Sequence, residues 1–166
     1  MKKIYLVRHA KSSWSNSNLP DIDRPLNERG YRNAHEMAHY LKVKKYDVGP
    51  FISSTAIRAI TTALIFSRAG LISQNQVNLA PDLYESSPDT YLRIIREQSD
   101  EHATIFIFAH NPTISEFSGL LCGDQGYDMS TCDVVVIEIP VEKWADVSFG
   151  IGLRGEIINK AGLGAM

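Results

Sequence analysis

The sequence predicts an α/β fold, a mostly parallel sheet flanked by helices, and two observations carry that expectation. Strand-like apolar runs alternate with helix-like ones along all 166 residues, without an internal repeat, low-complexity stretch or linker. Hydrophobic residues make up 44% of the chain and charged residues 22%, near the globular average, so a chain of this length buries its own core and reads as a single domain over 1–166.

Each element has its own warrant. Residues 3–7 are an apolar run that stops at Arg8, too short for the apolar region of a signal peptide, and read as a buried first strand. Residues 11–27 are polar and hold Pro20 and Pro25, a loop of the length that usually carries function. Asn27 caps a helix whose Tyr31, Ala34, Ala38 and Leu41 share a face and which runs into Lys42, Lys44 and Lys45. Residues 51–53 form a short strand, and 55–69 a helix lined by Ile57, Ile60, Ala63 and Leu64 and stopped by Gly70. Residues 77–79 give a further short strand, and Ser87-Pro88 opens a helix to about residue 98. Residues 104–108 are another buried strand, after which Asn111-Pro112 repeats the cap-plus-proline signature of a helix to about residue 121. Residues 134–139 and 147–158 read as two late strands forming an antiparallel pair.

Composition excludes several functions. Lys and Arg total 17 against 19 Asp and Glu, a net charge of -2, so no overall positive field gathers nucleic acid or anionic lipid, and any anion site is local. No apolar run nears the roughly 18 residues that span a bilayer, so a soluble, cytoplasmic protein is expected. Cys122 and Cys132 are too few for a disulfide framework and read as reduced thiols.

Open α/β sheets bind ligands beyond the carboxyl ends of their strands, and three such ends carry cationic side chains. The first strand stops at Arg8-His9. The second runs into Ser53-Ser54-Thr55, with Arg58 one turn inside the next helix, and the strand at 104–108 stops at His110-Asn111-Pro112. Phosphoryl transfer spreads negative charge over three equatorial oxygens and needs placed donors around them plus an in-line nucleophile. Arginine forks suit the oxygens, and a neutral imidazole can attack phosphorus and later release it to water. His9 is assigned as nucleophile and His110 as oxygen donor. A strand that simply ends in polar surface explains any one of these ends, but less readily three together.

These residues resemble the histidine phosphatase superfamily, also called phosphoglycerate mutase-like, and in particular its short SixA-like phosphohistidine phosphatase branch. Leu6-Val7-Arg8-His9-Ala10 resembles its opening Arg-His-Gly motif, with Ala10 in place of the usual glycine. Asp23 to Gly30, Ser53 to Ala59, Leu83-Tyr84-Glu85 and His110-Asn111-Pro112 follow in the family's order. The resemblance implies a three-layer α/β/α fold and a metal-independent phosphohydrolase without a cofactor. It carries catalytic and phosphate-binding roles to Arg8, His9, Arg58 and His110. It points to Glu85 as the general acid, with Asp21 and Asp23 as alternatives, and a carboxylate serving the helix near Pro88 as the plainer role of Glu85. Only a short stretch separates the Arg58 helix from Glu85, where mutase-type relatives carry a long cap. That implies an open pocket suited to a phosphorylated protein side chain, phosphohistidine above all, or a small phosphorylated metabolite. Mutase-type phosphotransfer and a binding module without turnover are the alternatives. Arg24 is expected to pair with the loop aspartates. Thr113 is expected to cap its helix or reach phosphate, and Trp14 to pack on the domain or meet a partner.

One competing motif stands apart. His35-Glu36-Met37-Ala38-His39 fits the zinc-peptidase pattern H-E-x-x-H. The apolar stripe leaves His39 to one side, no G-x-x-H follows and no third ligand is evident, so a solvated helix face is the better reading.

Overall fold

The computed structural model describes residues 1–73 and 76–163. Its strands are β1 (Lys2–Arg8), β2 (Phe51–Ser53), β3 (Asn78–Leu79), β4 (Thr104–Ala109), β5 (Val134–Ile139) and β6 (Leu153–Ile158). Its helices are α1 (Glu28–Val43), α2 (Ile57–Arg68), α3 (Pro88–Arg96), α4 (Thr113–Cys122) and α5 (Lys160–Leu163).

The strands form one sheet in the order β3-β2-β4-β1-β5-β6. The first four run parallel, while β5 is antiparallel to β1 and β6 antiparallel to β5. Side chains alternate across the strands, so Ile4 and Leu6 join one buried cluster while Tyr5 and Val7 join the other. Helices α3 and α4 cover the first face through Tyr91, Ile95, Ile114 and Phe117, and α1 and α2 cover the second through Met37, Leu41, Ala63 and Phe66. The three-layer α/β/α architecture is therefore present.

This topology dictates where a ligand fits. Neighbouring strands β1 and β4 are followed by helices on opposite faces, α1 and α4, and chains that part in this way leave a crevice at their carboxyl ends. Register aligns Arg8 with Ala109 and Ser53 with Phe108, so His9, Ser54 and His110 leave the sheet side by side.

Several sequence expectations are corrected. The buried face of α2 carries Arg58, Ala59, Thr62, Ala63 and Phe66, whereas Ile57 and Leu64 are 40% and 45% exposed. Small residues let this helix lie close to the sheet, and the inward Arg58 sets its rotation, which periodicity of apolar residues alone does not see. Tyr31 is likewise exposed, because Gly30, Ala34, Met37 and Leu41 centre the buried face of α1. Gly30 is required there, since a Cβ would stand 2.0 Å from the carbonyl oxygen of Lys11.

Only the second half of 147–158 is strand. Gly150 and Gly152 donate their backbone N–H to the carbonyls of Leu120 and Leu121, capping the end of α4 instead of extending β6. Asn27 does cap α1, accepting from the N–H of Gly30 at 2.8 Å. Neither Ser87 nor Asn111 is a side-chain cap. Ser87 Oγ faces Thr90 Oγ1, and Asn111 donates to Asp128 Oδ1 and to the Met129 carbonyl while accepting from Ser115 Oγ. Among the described residues no helix is long and apolar enough to cross a membrane, and Cys122 and Cys132 are both free thiols.

Candidate active site

His9 is buried where β1 ends. Its backbone N–H donates to the Ala109 carbonyl at 3.1 Å, and Cys132, in the left-handed region at φ 68, turns its N–H onto the carbonyls of both Arg8 and His9. The ring nitrogen Nδ1 lies 2.7 Å from the Ala10 carbonyl, an acceptor only, so Nδ1 carries the hydrogen and Nε2 keeps its lone pair. Burial, and then the charges of Arg58, Arg8 and Arg24, overcome the opposing pull of that carbonyl and lower its pKa from 6.5 to about 4. The ring is thus a neutral base with one free nitrogen throughout the physiological range.

His110 stands beside it, with ring centroids 5.2 Å apart. Its Nε2 is 2.7 Å from Ser54 Oγ, which also accepts the N–H of Ala56. With the serine hydroxyl as donor to Nε2, the ring proton sits on Nδ1, a buried atom with no partner in the protein and so free to donate to an oxyanion. Burial, His9 and Arg58 bring the His110 pKa down to about 3, so it is a neutral donor. Ser54→Ala removes the group that holds this tautomer and is expected to lower kcat by roughly 10- to 100-fold, with Ser54→Thr retaining more activity. A steady-state comparison of the two variants checks it.

The arginines come from three segments. Arg8 donates through Nη1 to the Met129 carbonyl at 2.8 Å, and the same carbonyl receives Asn111 Nδ2, which ties the 128–129 turn to two site segments. Arg58 is buried on α2, and Thr62, four residues on, accepts the N–H of Ala10 and donates to the Arg58 carbonyl. The Nε groups of Arg8 and Arg58 are, like His110 Nδ1, buried without an acceptor. Buried donors are almost always paired, so three orphans on side chains gathered around one unprotonated imidazole describe a cradle for an oxyanion.

Asp21 closes the opening. Its carboxylate accepts from Tyr84 Oη at 2.7 Å, Arg58 Nη2 at 2.9 Å and Arg24 Nε at 3.0 Å, and its main-chain carbonyl accepts from Arg58 Nη1 at 2.7 Å. The Tyr84 hydrogen bond and Arg58 lower its pKa from 3.8 to about 2. Asp21, Arg58, Tyr84, Glu85, His110 and Thr113 line a cavity of about 360 Å³.

Arg8, His9, Arg58 and His110 are therefore together, as the strand ends predict, and Glu85 stands on the cavity wall with backbone φ 49, strained for a non-glycine residue. Asp23 does not line that cavity, and neither do Arg8 and His9. Arg24 pairs with Asp21, as expected, and its guanidinium lies 3.4 Å from the ring centroid of Trp14, which is 72% exposed. The Thr113 hydroxyl neither caps its helix nor faces the cradle, since it donates to the Ser86 carbonyl. Ser54, Thr62, Tyr84 and Asn111 carry no catalytic or phosphate-binding role in the sequence reading, where Asn111 is a helix cap. The local signal for Thr62 is its place one helical turn after Arg58 on α2, whereas Ser54 precedes that helix. His35 and His39 share a shallow groove with Lys42 and Arg68, cationic neighbours that repel a metal ion, and the described residues hold no cluster of three His, Cys, Asp or Glu that could bind one.

The two buried rings also shape stability. Each binds its proton more weakly folded than at the ordinary 6.5, so the unfolded chain takes up protons that the folded one refuses. Stability is full above 6.5 and is lost as pH falls toward about 4 for His9 and about 3 for His110. The Tm of the wild type is expected to drop by roughly 5–10 °C more than that of His110→Gln between pH 6.5 and 4.5, measurable by calorimetry.

Comparison with known proteins identifies a family and a shared fold. The family model of the histidine phosphatase superfamily (branch 1) matches residues 4–91. An uncharacterized protein of Mycobacterium leprae is 34% identical over 120 residues, covering 70% of this chain and 71% of that one. In fold, the chain is similar to the protein histidine phosphatase SixA complexed with tungstate, at TM-score 0.82 and 18% identity over 97% of this chain and 99% of that one. It is also similar to a phosphoserine phosphatase of Entamoeba histolytica in complex with 3-phosphoglyceric acid, at TM-score 0.70 and 15% identity over 98% and 100%. The matched segment contains Arg8, His9 and Arg58, and on that match the chain belongs to the histidine phosphatase superfamily, branch 1.

Proposed function

We propose that this protein is a cytoplasmic phosphohydrolase, its residues 1–166 acting as one catalytic domain, that takes the phosphoryl group of phosphohistidine in a protein onto His9 and passes it to water. The observation that carries the reading is the unprotonated Nε2 of His9 among three buried N–H groups without acceptors. In the first step Nε2 bonds to phosphorus as the bond to the leaving group breaks. Arg8, Arg58 and His110 donate to the equatorial oxygens. In the second step water attacks the phosphoenzyme and the electron pair returns to Nε2. The charges of Arg8, Arg24 and Arg58 disfavour a cationic His9 ring, so they make it a good leaving group at this stage.

Superfamily membership supports phosphatase chemistry, and the 360 Å³ cavity beside Arg58 and His110 has room for a side chain presented on a protein. Glu85, on the wall of the cavity that Arg58 and His110 line, serves as the acid for substrates whose leaving group needs a proton, because Asp21 is held ionised. No step calls on a metal or cofactor. The test is to quench the protein during turnover of a phosphohistidine peptide and map acid-labile phosphate by mass spectrometry. Label on the peptide carrying His9 is expected, and label confined to another residue refutes the mechanism.

A further inference from the structure

We infer that Asp21 selects the substrate class, favouring phosphoramidates such as phosphohistidine over phosphate esters by holding the proton of the leaving imidazole. This rests on the reading that the protein acts on phosphohistidine.

Three donors take three of the roughly four acceptor positions of the Asp21 carboxylate, two on Oδ2 and one on Oδ1. One position on Oδ1 remains, and the side chain is 45% exposed on the wall of the cavity that also holds Arg58 and His110. The groups facing it are Arg58 from α2, Arg24 from its own loop, Tyr84 and Glu85 from the segment before α3, and His110 after β4. Its negative charge is therefore fixed by two cations and a phenol, and Tyr84 Oη, raised to about 12 by burial and then by Asp21, stays protonated as a donor. A leaving group in the cavity that Arg58 and His110 line shares that cavity with this carboxylate.

A phosphohistidine ring protonated on its second nitrogen is a cation, and that proton makes the phosphorus–nitrogen bond weak. As His9 Nε2 bonds to phosphorus, the substrate bond breaks and its electron pair returns to the substrate ring. That ring departs as neutral imidazole, still carrying its own N–H. The positive charge passes to His9, whose Nδ1–H rests on the Ala10 carbonyl. No external proton is needed. Asp21 accepts the substrate N–H and keeps the ring in its reactive, protonated form. A serine ester presents neither that proton nor that charge, and its alkoxide requires an acid that an ionised aspartate is not.

The experiment compares kcat/KM on a phosphohistidine peptide and a phosphoserine peptide of the same sequence, for wild type, Asp21→Asn and Asp21→Glu. Asparagine keeps an acceptor for Arg58 and Tyr84 but loses the charge. Asp21→Asn is expected to lower phosphohistidine turnover by roughly tenfold more than phosphoserine turnover, both falling to the extent that Arg58 loses its ion pair, and to move the alkaline limb of the phosphohistidine kcat profile to lower pH. Asp21→Glu is expected to keep the wild-type preference. Equal losses on both peptides, with the alkaline limb unmoved, overturn the inference and leave Asp21 as a clasp on Arg58. A wild type that labels His9 from the phosphoserine peptide but releases nothing from the phosphohistidine peptide overturns the substrate reading beneath it as well.

Discussion

Replacing His9 by alanine is expected to reduce phosphate release by about 10⁶, to the level of background, since removal of a nucleophile leaves only binding and oxyanion stabilisation. The physical basis is the ring's fixed state. The Ala10 carbonyl holds Nδ1–H, burial and three arginines keep the ring neutral down to about pH 4, and Nε2 has no competing proton. The same environment that keeps the nucleophile free makes it a weak base, which slows attack somewhat but speeds release of phosphate from the phosphoenzyme. Loss of turnover and of the acid-labile label together is the expected pair of results. A His9→Ala protein that still turns over at more than a few per cent of wild type removes His9 from the mechanism.

Arg58→Ala is expected to lower kcat/KM by roughly 10³ to 10⁵, the range seen when an arginine is withdrawn from a phosphoryl-transfer transition state. Two losses combine. The buried Nε donor to the oxyanion disappears, and Asp21 loses both the Nη2 contact to its carboxylate and the Nη1 contact to its carbonyl, so the 11–27 loop loses its tie to α2. Arg58→Lys separates these effects: an ammonium restores charge but not the planar fork, and it is expected to recover only a minor part of the rate. Single-turnover phosphorylation of His9 in both variants is the measurement. Equal rates in Arg58→Lys and wild type contradict the fork argument.

Much of this arrangement is legible in the sequence because its causes are local. Alternating strand and helix patterns, the Asn27 cap and the apolar run 104–108 are short-range signals, and they locate β1, β2, β4 and the helices between them to within a few residues. The strand-end rule then brings Arg8, His9, Arg58 and His110 to one crevice without knowledge of side-chain packing. Where local pattern and global demand conflict, the pattern misleads. The apolar stripe of Ile57, Ile60 and Leu64 points away from the core because the inward Arg58 and the close packing of Ala59 and Ala63 set the rotation of α2.

From the chain alone came the fold class, the crevice and a nucleophilic imidazole with its arginines, since each depends on residue type at a position that backbone periodicity locates. Only the tertiary structure decided that His9 Nδ1 faces a carbonyl, that His110 Nε2 pairs with Ser54, and that Asp21 clasps Arg58 and Tyr84 with its pKa lowered. The Ser54–His110 and Asp21–Arg58–Tyr84 contacts join groups 37 to 63 residues apart in sequence that meet within about 3 Å, and the burial that comes with the fold shifts their proton affinities. No local signal encodes such contacts, because hydrogen bonding and desolvation act on distance in space.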